Sequence, residues 1–172
     1  MDLSALADFF PLMRGGGAFL VAIGLGILVG AAGPRRWRTV SLIVGAGVGV
    51  VVMAVGGATK LIFAGLPQPQ LWQWIVLGVA FLVEGYLVSV VVRKNPDIES
   101  RSFWMWMLFI VDAHFLILGL SHGPVCGALA IVCMLNAWLG LRWTTLDFRV
   151  FWAVDGTLKI LGGALMIALS YA

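Results

Sequence analysis

Six long apolar runs follow one another through the chain, at about 17–33, 39–64, 71–92, 103–120, 124–141 and 148–171. At ~1.5 Å of rise per residue, each run as a helix reaches across, or nearly across, a hydrocarbon core about 30 Å thick. Lipid offers no partner to a bare N–H or C=O, so such segments fold as helices whose backbone bonds close within the segment. With 62% hydrophobic and 11% charged residues, a chain of 172 could not bury its apolar surface in one water-soluble core. The expectation is an all-α integral membrane protein of six transmembrane helices, with a single domain over residues 1–172. No connection between runs exceeds about a dozen residues, too short for a separately folded module.

Charge placement orients the bundle. A cleaved export signal would need a basic stretch before the first run, but residues 1–17 hold Asp2 and Asp8 against Arg14. The first span is expected to stay, and the segment before it, interrupted by Pro11, to lie in the membrane interface. Arg35, Arg36, Arg38, Arg93, Lys94, Arg101, Arg142 and Arg149 fall in alternate connections on one side, against Arg14 and Lys60 on the other. The positive-inside rule then puts the basic loops in the cytoplasm and both termini outside, in a multi-pass protein of the cell membrane. The net charge of +3 is read as a topology signal, so nucleic acid is not an expected partner. Trp37, Trp72, Trp74, Trp104 and Trp143 are expected at the interfaces, where an apolar ring with a polar N–H belongs.

Four ionisable residues lie deep within the spans: Glu84, Asp112, Asp155 and Lys159. A charge at that depth is costly unless it is paired, protonated or facing a polar cavity. Asp155 and Lys159 are i,i+4 on one helix and predict an ion pair. Against one base stand three acids, so either a carboxyl holds a proton or the interior is wet. Asp112 and His114 are about 200° apart around their helix and face different ways. These four residues, with Tyr86 and Asn136, are the expected lining of a polar path.

The sequences Val83-Glu84-Gly85-Tyr86-Leu87 and Val154-Asp155-Gly156-Thr157-Leu158 share one pattern in the third and sixth spans. Halves of three spans run in opposite senses, which predicts two inverted three-helix repeats with a solute site where they meet. In the first two spans, Gly26/Gly30, Gly45/Gly49 and Ala18/Ala22 allow close backbone approach. They predict tight pairing, within the protomer or between copies in a homo-oligomer.

Enzymatic chemistry is not expected, because no nucleophile–base or paired-acid motif appears in the spans. Cys126 and Cys133 are two helical turns apart, too far for a disulfide, and with His114 and His122 reproduce no metal-ligand spacing. No metal and no cofactor are therefore expected.

Six spans, three basic loops and both termini outside resemble the acid-activated urea channel and amide transporter family. Ser41–Gly47, Tyr86 followed by Trp104 and Leu108-Phe109, and Val154-Asp155-Gly156 resemble that family's local features in the same order. The resemblance implies a multimer whose protomers each conduct urea or a short amide, with pH-dependent flux. Locally, Asp155-x-x-x-Lys159-Ile160-Leu161-x-Gly163 resembles the last helix of microbial rhodopsins, which would make Lys159 the attachment point of retinal. A further alternative is an accessory subunit of a larger membrane complex, since Gly-rich helices also pack against foreign partners.

Overall fold

The computed structural model describes residues 3–33, 35–54 and 60–172. It is all-helical over these residues: α1 (Leu3–Phe9), α2 (Met13–Ala32), α3 (Arg35–Ala54), α4 (Leu71–Lys94), α5 (Arg101–His122), α6 (Pro124–Arg142) and α7 (Phe148–Leu169). Five of them, α2 and α4 to α7, are long and apolar enough to cross a membrane, while α3 carries a shorter apolar stretch, Trp37–Val52. Of the run expected over 39–64, residues 39–54 lie in α3 and residues 60–62 are helical. Residues 55–59 lie outside the described part, and the chain turns at 63–65, where Gly65 has φ +72°.

Local sequence explains the helix ends. Ser100 begins α5 by accepting a bond from the Phe103 N–H (3.1 Å), and Asp147 begins α7 by accepting from the Arg149 N–H (2.9 Å). Gly123 alone joins α5 to α6 at φ +95°, a conformation that costs glycine little, and Pro124 follows it in the first turn of α6. Arg101 then ties the α5 start to the far end of this hairpin, donating to the carbonyls of Gly140, Trp143 and Leu146 at 2.6–2.7 Å.

The helices pack in the order α3, α2, α7, α6, α5, α4, each on the next, with lighter contacts of α5 to α2 and α7. Helices α3 and α4, at the two ends of this row, leave a gap between them. Helices α2 and α7 approach each other closely. A Cβ on Gly24 would lie 2.7 Å from the Gly156 carbonyl oxygen, and one on Gly163 would lie 2.5 Å from that of Gly17. The seven-residue spacings 17/24 and 156/163 thus bring two antiparallel backbones into direct contact. Gly26 meets Gly45 in the same manner between α2 and α3, so this pair of small residues packs within the protomer.

Two features of the periphery concern packing within the protein. The N-terminal segment is packed into the protein: Leu6, Ala7, Leu12 and Met13 are buried, and α1 rests on α7. Its apolar residues find protein partners, which the sequence alone does not reveal. Trp104, expected at an interface, is buried edge-to-face against Trp152, with ring centroids 5.3 Å apart.

Arg14, which counts only as an outside charge in the sequence, is buried and clasps two other segments to α2. Its Nε donates to Ser170 Oγ (2.8 Å), Nη2 to the Ser170 carbonyl (2.7 Å) and Nη1 to the Ala64 carbonyl (2.8 Å), and the guanidinium lies 3.8 Å from the centre of the Tyr171 ring. Arg14→Met should cost about 2 kcal/mol or more, since bonds from a charged donor are among the stronger ones. The check is a lowered thermal midpoint in detergent with faster proteolysis near residues 60–70. An unchanged midpoint would make the clasp incidental.

Candidate functional site

Asp112 lies halfway along α5, Lys159 halfway along α7 and Asp155 one turn before it, and helix packing brings the three together. Lys159 Nζ donates to Asp112 Oδ1 at 2.6 Å and to Asp155 Oδ2 at 2.5 Å, and all three side chains are 0% exposed. An apolar cluster borders the triad on each side along the helices. One contains Phe115, Ala130, Cys133 and Met166, and the other Leu108, Ile110, Ala137 and Trp152. The Lys159 ammonium also stands 5.6 Å from the centre of the Phe115 ring.

The electrostatics of this triad are unbalanced. Fully ionised, two carboxylates and one ammonium leave a net negative charge in a dry interior, a state strongly disfavoured unless a proton or a further cation joins them. Two carboxylate oxygens, Asp112 Oδ2 and Asp155 Oδ1, have no hydrogen-bond partner, so there is a place for such a proton. Cys133 of α6 completes the surroundings: its sulfur and one carboxylate oxygen from each acid lie within 4.8 Å of one another. That spacing would suit a metal ion, but the Lys159 ammonium already bonds both acids and supplies the positive charge there.

Other expected path residues are placed apart from the triad. Asn136, one turn beyond Cys133 on α6, donates to the Phe151 carbonyl of α7 at 2.8 Å and holds those helices together. Glu84 of α4 is 22% exposed and faces His114 of α5, with Oε2 3.8 Å from Nδ1. Asp112 and His114 thus address opposite sides of α5, as their angular separation requires. Tyr86 lies on the outward face of α4, 66% exposed, and does not join the others.

Two residues escaped the sequence reading. Cys133 looks like packing because nothing in its neighbourhood signals that Asp112 and Asp155 arrive from other helices. The other is His114, whose signal is present in the sequence, since an imidazole in mid-span is itself a polar group requiring a partner. Residues 7–172 match a family model described as a family of unknown function, DUF6609. No curated protein and no solved structure matches the chain.

Proposed function

The chain belongs to the DUF6609 family, and we propose that it is a membrane transport protein in which the Asp112–Lys159–Asp155 triad closes a path for a small polar solute. One observation carries this reading: a dry, three-membered charge group with an odd acid, sealed between apolar clusters at mid-helix. A structural strut would be served by one acid and one base, or by apolar residues of similar volume. The additional carboxyl makes the charge state depend on a proton, and a change of charge state favours hydration and opening of the seam between α5, α6 and α7.

The solute class follows from the groups on offer. Carboxylate oxygens accept N–H bonds and the ammonium donates to a carbonyl, so urea or a short amide satisfies both. The matching topology has α3 crossing as the second of six spans, both termini outside and the basic loops in the cytoplasm. Inverted repeats find partial support in the contact order: α2 packs on α3 and α7 as α5 packs on α6 and α4, but α6 meets α7 where α3 and α4 do not pack together. Assembly into a homo-oligomer belongs to the same reading.

The test is flux of urea, acetamide, ammonium and protons into vesicles containing the purified protein, at several pH values. Solute flux should depend on pH, and Asp112→Asn, which keeps the shape but fixes one acid neutral, should flatten that dependence. The groups around Asp112 that share in this response are Asp155 and Lys159 of α7 and Cys133 of α6. Absence of flux for every solute at every pH would end the transport reading. A visible absorbance band would instead assign Lys159 to retinal.

A further inference from the structure

Asp112, Cys133 and Asp155 come from three different helices, α5, α6 and α7, and all three are 0% exposed. The Cys133 sulfur and one carboxylate oxygen of each acid lie within 4.8 Å of one another. Tetrahedral ligands held ~2.0–2.3 Å from an ion such as Zn²⁺ are roughly 3.3–3.5 Å apart, so a closure of about 1 Å completes the set.

Lys159 does not use up these ligands. Its ammonium takes Asp112 Oδ1 and Asp155 Oδ2, and it leaves Asp112 Oδ2 and Asp155 Oδ1 with no partner. It also brings one positive charge against two acids. Carboxylates that bind a metal are themselves held by hydrogen bonds from a surrounding shell, and the ammonium holds both acids at once.

Charge and donor type name the ion. Two carboxylates, one thiolate and one ammonium carry two negative charges between them, which a dication cancels. The thiol proton and the proton of the odd carboxyl pass to water as the ion enters. Mg²⁺ and Ca²⁺ are served by six or more oxygens, whereas the free donors here are two carboxylate oxygens and a sulfur. A thiolate with carboxylates suits Zn²⁺, or Co²⁺ in its place.

We propose that Asp112, Cys133 and Asp155 bind one divalent cation of the zinc class, with Lys159 bonded to the far oxygen of each acid. The ion ties α5, α6 and α7 together. That it thereby holds a solute path shut rests on the transport reading; binding itself does not, because the ion is taken up as the helices assemble.

The test uses tag-free protein produced in cells supplied with cobalt and dialysed against metal-free buffer. One cobalt per chain is expected, with a near-ultraviolet sulfur-to-cobalt charge-transfer band. Dialysis against zinc chloride should bleach that band, and magnesium chloride should not. Cys133→Ser exchanges sulfur for oxygen with little change of shape; it should remove the band and raise the Kd, titrated against a competing chelator, by roughly 100-fold. Cys126→Ser is the control, since that thiol donates to the Phe115 carbonyl and should leave the band unchanged. If Cys133→Ser does not fold, Asp112→Asn, which keeps the Asp155–Lys159 pair, must show the same loss of affinity. The proposal is overturned if cobalt is not retained at one per chain, if the band survives Cys133→Ser or is lost with Cys126→Ser, or if magnesium displaces the ion. Bound cobalt without solute flux at any pH would defeat the transport reading alone, and flux without a bound ion would defeat this one alone.

Discussion

Lys159→Met should leave little folded protein in the membrane. The substitution keeps the length of the side chain and removes the only positive charge among three wholly buried groups, stranding Asp112 and Asp155 against each other. Breaking a buried pair by removing one partner costs about 3–5 kcal/mol, because the charge left behind has neither water nor a counterion. Here two carboxylates are left, so the loss should fall at the upper end. Restoring neutrality reverses the sign of the argument: Asp112→Asn and Asp155→Asn combined with Lys159→Met remove every charge and should recover most of the expression and monodispersity. Asp112→Asn alone leaves a balanced Asp155–Lys159 pair and should be the mildest of the set. Size-exclusion profiles and thermal midpoints of the four proteins decide the matter. If the single lysine change and the triple change are equally harmful, the three residues are not an electrostatic unit.

The second large effect is expected at the crossing of α2 and α7. Gly24→Ala places a methyl 2.7 Å from the Gly156 carbonyl oxygen and 2.8 Å from Ile160 Cγ1, and Gly156→Ala meets the Gly24 carbonyl oxygen at 2.8 Å. Backbone cannot step aside as a side chain can, so the helices must separate along their length. Overpacking of this kind costs about 1–3 kcal/mol per site, and the two changes fall on one contact, so their sum should not be additive. Gly78→Ala and Gly85→Ala on α4 are the controls, because a Cβ at either position meets nothing within 4 Å. They should be neutral or slightly stabilising, since alanine favours the helix. Comparable losses at Gly78 and Gly24 would show that the effect is not one of helix contact.

The helices were legible in the sequence because lipid imposes both their length and their backbone pairing, leaving only ends to be decided. The far end of the second run is less legible, because apolar composition continues into the turn at 63–65. Within the site, spacing on one helix was informative and order around the bundle was not. Asp155 and Lys159 sit one turn apart whatever the fold, so their contact could be read directly. The arrival of Asp112 from α5, beside α6 and Cys133, depends on how helices are arranged, which no single-helix argument supplies. Tyr86 was included with Glu84 because a short motif linked them. Two residues apart on a helix, they point in nearly opposite directions, by the same reasoning that separated Asp112 from His114.

The α2–α7 contact also dictates the sequence of events during biosynthesis. Its glycines are more than a hundred residues apart, so α2 leaves the ribosome and enters the bilayer long before its main partner exists. Until then α2 has α3 as its main partner and only a lighter contact with α5, and its Gly17/Gly24 stripe lacks the partner it packs on in the finished fold. Topology of this kind delays closure until α7 has been inserted, and the half-built intermediate exposes a surface made for tight association.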